Sequence, residues 1–189
     1  RLQAGLWRDA RQLLGGDAVV VSDKVTPDAF VAKAQALGLK TQTTVNFPSM
    51  ARADDAQGGD TKLVALKAVS EGYPLRGNMS LFKPEATNPK VASEDVQTTR
   101  EVPKPGSVWV DPVLLESLNL QLGDRLWLGD KDLRITALIH REPDRGANFM
   151  NFAPRVMMHH DDVAATGLVP LNIALCIVIG SNLGSGLLA

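Results

Sequence analysis

The densest group of metal-binding side chains in this sequence is the run His159-His160-Asp161-Asp162, and His140 is the only other imidazole. Imidazole and carboxylate groups are common zinc ligands, and on a helix two of them share a face when they lie one turn apart. Neighbouring residues point in different directions instead. The spacing therefore favours the polar beginning of a short helix, capped by His160 or Asp161, over a metal site.

A serine and a lysine, Ser80 and Lys83, have the spacing found in penicillin-binding enzymes, where an amine one helical turn away activates the hydroxyl. The partner motifs S-D-N and K-T-G are absent from the sequence. In addition, Pro84 disfavours a helix that continues past Lys83. A hydrolase, either of this serine-lysine type or a metal-dependent one built on the histidines, remains as the alternative function.

The glycine-rich segment Gly180–Gly186 follows the apolar run Ile173–Ile179, as phosphate-binding turns follow strands in dinucleotide-binding folds. Only three residues come after it, so we expect no helix N-terminus that binds phosphates there. The loop carboxylates Asp54, Asp55 and Asp60 lack the closing glutamate of a calcium loop. We therefore expect no catalytic residue, no cofactor and no metal.

The composition makes nucleic acid an unexpected partner and excludes an intrachain disulfide. The 20 Lys and Arg residues are dispersed among 21 Asp and Glu residues, and three Trp, five Phe and one Tyr are too few for a stacking platform, so no nucleic acid is expected. The single cysteine, Cys176, excludes an intrachain disulfide. Since the sequence opens on Arg1 and no apolar run reaches the roughly 20 residues of a membrane span, we interpret it as a piece of a longer protein.

Hydrophobic periodicity and turn residues predict an α+β chain. The predicted helices are 2–14, 27–37 after an N-cap at Thr26, one that begins at Pro112 after the cap Asp111, and 161–166. The predicted strands are 18–21, 40–53, 62–70, 108–110, 125–128, 133–140 and 151–158. Residues 83–106 carry four prolines and no apolar period, which is typical of a long surface connection. Trp109 and Trp127 fall on predicted strands and are expected to pack, whereas Trp7 is a candidate contact with another subunit or a membrane.

Four blocks, in this order along the chain, are more specific than any single motif. They are VAKAQALGL (Val31–Leu39), LVALKAVSEGYPLRG (Leu63–Gly77), VWVDPVLLESLNLQLGD (Val108–Asp124) and FAPRVMMHHDDVAATGL (Phe152–Leu168). Together they resemble the periplasmic domain of FtsX-like ABC transporter permeases, with the greatest similarity to the YbbP type. The same domain is similar to the MacB-like periplasmic core.

The resemblance implies a porter-like β-α-β-β subdomain, made from both ends of the chain, with a β-rich subdomain inserted between its halves. Residues 1–14 would be a stalk helix that continues a membrane helix, 15–72 the first porter-like half and 73–168 the insertion. Residues 169–189 carry no charged side chain and depart from the family pattern. For this tail, the resemblance predicts that the apolar run either fills a vacant strand position or pairs with another molecule.

The resemblance also implies a function without catalysis. Such a domain lies in the periplasm, on a bacterial inner-membrane permease whose partner is a cytoplasmic ABC ATPase. It would couple ATP hydrolysis to the movement or binding of an envelope lipid or lipoprotein, and a homodimer or a second permease is a further expected partner. A free-standing periplasmic binding domain is the other alternative to the hydrolase.

Overall fold

The structure is a computed structural model, and it describes residues 16–22, 26–83, 96–145, 152–168 and 172–178. Ten strands and two α-helices lie within these ranges, so the predicted α+β class is confirmed. In chain order the elements are β1 (Ala18–Ser22), α1 (Asp28–Ala36), β2 (Lys40–Ala53), β3 (Thr61–Val69), β4 (Met79–Phe82), β5 (Val96–Thr99), β6 (Ser107–Val110), α2 (Pro112–Leu118), β7 (Arg125–Leu128), β8 (Lys131–Arg141), β9 (Arg155–His159) and β10 (Asn172–Val178).

Six strands close into a barrel. The pairing runs from β2 to β3, β9, β6, β8 and β7, and β7 pairs with β2 again. Alternate residues of each strand point inward, as the two-residue period of a strand requires, and α2 adds Leu114 and Leu118 to the same core. The other main members of this core are Val45, Phe47, Val64, Leu66, Val108, Val110, Leu126, Leu128, Leu133, Ile135, Val156 and Met158.

An open sheet extends from one side of the barrel. Strand β10 lies between β1 and β2 and is antiparallel to both, so β1 and β2 are parallel and α1 is the crossover between them. Helix α1 packs against β2. The apolar run around Ile173 therefore fills a strand position within this chain, which is the first of its two predicted alternatives. The division into subdomains near Tyr73 stays a prediction.

Several predicted element bounds are wrong, and each has a local cause. The supposed connection 83–106 contains β5, which pairs with β4; its polar sequence Val-Gln-Thr-Thr has no apolar alternation from which a strand could be predicted. Pro27, not Thr26, is the N-cap of α1. The predicted helix 161–166 is two 3₁₀ turns, His160–Asp162 and Ala164–Thr166, since Gly167 with φ +67 ends the segment before an α-helical turn can propagate.

Two further predicted bounds differ from the structure, and two predictions fall on residues that the structure does not describe. The turn between β7 and β8 is the tight pair Gly129-Asp130, and β9 begins at Arg155, later than predicted. The predicted helix 2–14, with Trp7, and the segment Gly180–Gly186 lie outside the described residues. In the part of the chain that the structure describes, neither helix combines the length and the apolar character needed to traverse a bilayer.

Candidate functional site

The predicted serine-lysine pair does not form a catalytic dyad. Ser80 lies on strand β4, where it pairs with Thr98 and Arg141, and Lys83 follows the end of that strand. Three residues of extended chain span about 10 Å, and residues at this spacing point to opposite faces. The geometry therefore removes the helical turn on which the lysine activation of Ser80 depends.

The histidines serve local structure. His159 is buried, its Nε2 lies 3.1 Å from a carboxylate oxygen of Glu71, and its Nδ1 accepts a hydrogen bond from the backbone N–H of Asp161 at 3.2 Å. His159 is thus the cap of the first 3₁₀ turn, where His160 or Asp161 was predicted. The ring of His140 packs edge-on against Phe82 at 5.1 Å. Across the described ranges, no three metal-binding side chains come together.

The acidic loop between β2 and β3 is held by protein groups. Asp54 accepts hydrogen bonds from the backbone N–H of Ala56 at 3.1 Å and from the indole of Trp127 at 3.3 Å. The Ala56 N–H first, and then the Trp127 indole, lower the pKa of this carboxyl. Asp55 pairs with Arg52 at 2.5 Å, and Arg52 also stacks over the Trp127 ring. Trp127 therefore packs at the barrel surface, as predicted, and Trp109 is buried.

A buried group of charged side chains, which sequence reasoning missed, lies on the outer face of the barrel. Lys67 is in the middle of β3, and its side chain points away from the barrel core because Leu66 and Ala68 point into it. Yet Lys67 is only 2% exposed. The loop after β3 and the segment after β8 cover it. Together with its neighbours it forms what we call the junction cluster: Lys67, Tyr73, Asp111, Glu142, Asp144, Arg145 and Arg155.

Lys67 is the centre of this cluster. Its ammonium lies 2.7 Å from Oε1 of Glu142, 2.8 Å from each carboxylate oxygen of Asp144 and 2.9 Å from the hydroxyl of Tyr73. The Tyr73 hydroxyl in turn donates a short hydrogen bond to Asp144. Every hydrogen of the ammonium therefore has an acceptor, which is the condition under which a charge can be buried.

Arg155 extends the cluster to the other side of Glu142. Its Nε donates to Oε2 of Glu142 at 2.8 Å, and one of its terminal nitrogens donates to the carbonyl of Ala65 at 3.3 Å. Its backbone N–H donates to Asp111 at 2.8 Å, and Arg145 pairs with the same carboxylate at 2.8 Å. Asp111 precedes α2 as the predicted cap, but its carboxylate makes no capping hydrogen bond because it is used here.

The electrostatics of the cluster fix the protonation states of two of its members. Burial by itself raises the pKa of Glu142, but the charges and hydrogen bonds of Lys67 and Arg155 outweigh it and lower that pKa to about 2. Burial, followed by the nearby Glu142 and Asp144 carboxylates, raises the pKa of Tyr73 well above its usual value. Glu142 is therefore a carboxylate and Tyr73 a neutral phenol throughout the physiological range.

The cluster lies where the open sheet meets the barrel, and the loop Ser70–Gly77 connects the two. Arg76 of this loop pairs at 2.9 Å with Asp17, which directly precedes β1. Gln42, near the start of β2, donates to the carbonyl of Ser70 at 3.0 Å and to its hydroxyl at 2.9 Å. The loop also approaches the segment after β8 so closely that a Cβ on Gly77 would lie 3.1 Å from the Cβ of Pro143.

The arrangement is suited to holding two parts of the chain together. Three cations, Lys67, Arg145 and Arg155, face three carboxylates, and the group has no net charge. Its charges are satisfied by each other and by the backbone. Two signals in the sequence point to it, namely a lysine inside an apolar strand and the charged run 141–145. Neither signal reveals that Lys67 and the residues of this run are partners.

Comparisons with known proteins agree with the resemblance stated above. No family model matches the chain. The uncharacterized ABC transporter permease YbbP of Escherichia coli (strain K12) is 35% identical over 169 residues, which are 89% of this chain and 19% of that protein. The chain thus spans about a fifth of the length of this curated relative, and the predicted resemblance to YbbP-type permeases is confirmed.

Three solved structures are also similar in fold. The periplasmic region of MacB from Actinobacillus actinomycetemcomitans has a TM-score of 0.49 at 11% identity, over 93% of this chain and 80% of that one. The extracellular domain of the ABC-type transporter YknZ from Gram-positive bacteria has a TM-score of 0.48 at 9% identity, over 84% and 82%. A domain of a putative permease from Porphyromonas gingivalis has a TM-score of 0.47 at 9% identity, over 76% and 62%.

Proposed function

Starting from a chain that is homologous to a segment of an ABC transporter permease, we propose that this protein is the periplasmic domain of a bacterial inner-membrane permease of the FtsX-like class. In this proposal it forms and breaks no covalent bond. It relays movement driven by a cytoplasmic ABC ATPase to an envelope lipid or lipoprotein, and a second permease domain is its other partner.

The junction cluster is the observation that carries the proposal. A relay must pass displacement to the barrel from the segment before β1, which the family resemblance implies to be a stalk. Asp17 and Arg76 join the start of β1 to the loop Ser70–Gly77, and Lys67 and Tyr73 join that loop to the barrel. The Lys67–Glu142 pair is buried on both sides, and it resists deformation because breaking it would leave a charge without a partner. The Asp17–Arg76 pair is more exposed, with 38% of the Arg76 side chain accessible, so it is the weaker of the two links. In this proposal the two links together make β1, the loop and the barrel move as one body.

Location is tested by labelling with a membrane-impermeant maleimide in intact spheroplasts that carry the full-length permease, with Cys176 replaced by Ser. Met50 is 51% exposed on the outer face of β2, so we expect Met50→Cys to be labelled before lysis. Met79→Cys is the matched control, because Met79 is fully buried and should react only after denaturation. Labelling of Met50→Cys that requires lysis would contradict a periplasmic location.

The relay is tested in the full-length permease with its ATPase in lipid nanodiscs. Arg76→Ala removes the tie to Asp17 and leaves the barrel intact, so we expect basal ATP hydrolysis to persist while complementation of a permease deletion is lost. Lys62→Ala, an exposed change on β3, should leave both unchanged. Complementation by Arg76→Ala at the wild-type level would count against the relay.

An activity assay on the purified chain decides the hydrolase alternative. The purified chain would have to turn over an ester or amide substrate, and that turnover would have to disappear in Ser80→Ala or in His140→Ala. The strand geometry around Ser80 and the packing of His140 against Phe82 lead us to expect no such activity. Turnover abolished by either single substitution would replace the relay with an enzyme.

A further inference from the structure

His159 is a buried imidazole on which two connections of the fold meet. It is the last residue of β9 and is 2% exposed. Because Met158 points into the barrel core, the side chain of His159 points to the outer face. One ring nitrogen contacts Glu71, in the loop Ser70–Gly77, and the other contacts Asp161, in the 3₁₀ turn that follows β9. The ring therefore bridges a loop and a turn that are distant in sequence.

The two contacts fix the tautomer of the neutral ring. The backbone N–H of Asp161 can only donate, and it lies 3.2 Å from Nδ1, so Nδ1 carries no proton. The ring proton is then on Nε2 and is donated to Oε1 of Glu71 at 3.1 Å. The backbone N–H of Glu71 first, and then the His159 ring, lower the pKa of this carboxyl, which keeps it an acceptor at neutral pH.

A second proton on the ring has only Nδ1 to bind to. There it would face the Asp161 N–H, and two donors cannot share a hydrogen bond, so the cap of the turn is lost. The Asp161 carboxylate, 3.6 Å from Nδ1 and 75% exposed, can replace the N–H as the partner. Nε2 keeps its contact with Glu71. Each nitrogen of the charged ring thus has a carboxylate within reach, which is what a buried charge requires.

The strands beside His159 bring no competing charge to it. On β3, Val69 is its register partner, and the ammonium of Lys67, two residues earlier, is bound within the junction cluster. On the other side, β6 consists of Ser, Val and Trp residues. His160 carries the neighbouring imidazole, so a test must include a variant that removes it.

The capped turn holds two other parts of the barrel. Asp162 is buried, and its carboxylate accepts from Lys131 at 2.6 Å and from the backbone N–H of Gly106 at 2.7 Å. The carbonyl of Thr166, in the second turn, accepts from the backbone N–H of Asp130 at 2.9 Å. The first turn therefore connects β9 to the β7–β8 hairpin and to the residue before β6. A change in its cap is transmitted to both.

We propose that His159 is a proton-operated switch between these two connections. The neutral ring holds both the turn and the loop. When Nδ1 takes a proton from solvent, the ring releases the backbone of the turn and holds the loop through an ion pair with Glu71. Imidazole is the side chain that ordinarily changes its charge between pH 5 and 8. This switch does not depend on the relay proposed above, because it concerns contacts within the chain only.

NMR of the ¹⁵N-labelled 189-residue chain between pH 8 and pH 5.5 tests the switch, in a range above the one in which Glu142 takes up its proton. At pH 8 the His159 ring should carry its proton on Nε2 alone. As the pH falls, the Asp161 amide signal should move together with the His159 ring signals. Its protection against solvent exchange, corrected for the intrinsic rate, should fall about fivefold, as expected for the loss of a cap hydrogen bond.

The amide of Tyr73 reports on the loop in the same spectra, since it donates to the carbonyl of Ser70 at 3.2 Å. It should keep its protection while Asp161 loses its own, because Glu71 remains bound to the charged ring. A proton on Nδ1 at pH 8 would show that the ring does not cap the turn. Equal loss of protection at both amides would show general loosening in acid. Either result would overturn the proposal.

His159→Asn separates the cap from the proton. The amide oxygen of an Asn cap accepts the same kind of backbone hydrogen bond but does not titrate, so the Asp161 amide should stay protected over the whole range. His160→Gln is the matched control, and there the Asp161 amide should respond to pH as in the wild type. A pH response that survives in His159→Asn, or one that vanishes in His160→Gln, would assign the effect to another group. If His159→Asn does not fold, the wild type and His160→Gln decide the question by themselves.

Discussion

The ammonium of Lys67 lies 2.7 Å from Oε1 of Glu142, and the two side chains are 3% and 0% exposed. A buried ion pair adds little net stability as a pair, but the loss of one partner leaves the other as an uncompensated charge. Glu142, the partner of Lys67, lies 75 residues away from it in the sequence. The pair thus ties the segment after β8 to the barrel strand β3.

Lys67→Met tests this relationship. The substitution leaves Glu142 and Asp144 buried with one cation fewer, so we expect a loss of about 3 to 5 kcal/mol in the free energy of unfolding, measured by urea denaturation. Lys62→Met, on the exposed part of the same strand, should cost no more than about 0.5 kcal/mol. Equal midpoints for the two variants would mean that Lys67 does not hold the junction together.

Glu142 makes the free energy of unfolding depend on pH between its folded pKa of about 2 and its ordinary value of 4.5. Because its folded pKa of about 2 lies below its ordinary value of 4.5, the unfolded chain binds this proton more readily. The stabilisation is complete above pH 4.5 and is lost as the pH falls towards 2, with a total of about 3 kcal/mol. We expect the difference in unfolding free energy between the wild type and Glu142→Gln to shrink steadily through this window. A constant difference would assign the acid dependence to other carboxylates.

Tyr73 is the single tyrosine of the chain, so the ultraviolet absorbance of phenolate reports on it alone. Its pKa is raised above the ordinary 10.0, by burial first and then by Glu142 and Asp144. At pH 10 the folded chain should show almost no phenolate, whereas the chain unfolded in urea should be about half ionised. Ionisation at the same pH in both states would contradict the buried hydrogen bond to Asp144. With the pKa raised, stability should fall as the pH rises past 10.

Much of the fold is predictable because local signals and tertiary structure agree. The strand 40–53 coincides with β2 in both bounds, and the helix after Asp111 begins at Pro112 as predicted. β5 was missed because its stability comes from pairing with β4, which leaves no periodic pattern in its own sequence. Sequence spacing also cannot show that Lys67 meets Glu142, 75 residues away. That contact exists only once the barrel has closed.

Ser49 is a buried residue of the barrel whose replacement should increase stability. It is 8% exposed, and its hydroxyl has no hydrogen-bond partner in the described part of the chain. Burying such a group costs free energy, so we expect Ser49→Ala to raise the free energy of unfolding by about 1 kcal/mol. Ser107 is the matched control, because it is also 8% exposed but donates to the carbonyl of Lys104 at 2.7 Å. Ser107→Ala should therefore destabilise, and destabilisation by Ser49→Ala would imply a bound water.

Gly129, in the turn between β7 and β8, is the position where a single added carbon should be most damaging. A Cβ there would lie 2.0 Å from the carbonyl oxygen of Thr166, which accepts the backbone hydrogen bond of Asp130 at 2.9 Å. The backbone cannot yield without breaking that bond, so we expect Gly129→Ala to cost about 3 kcal/mol or more.

Gly106 separates this clash from the cost of backbone conformation. Its φ of +82 is also left-handed, but a Cβ there meets nothing within 4 Å. Gly106→Ala should therefore cost only the conformational penalty of about 1 kcal/mol. Thermal unfolding of the two variants measures the difference. If both lose the same stability, the approach of Thr166 to the turn contributes nothing, and the contact between the β7–β8 hairpin and the segment after β9 is not a fixed part of the fold.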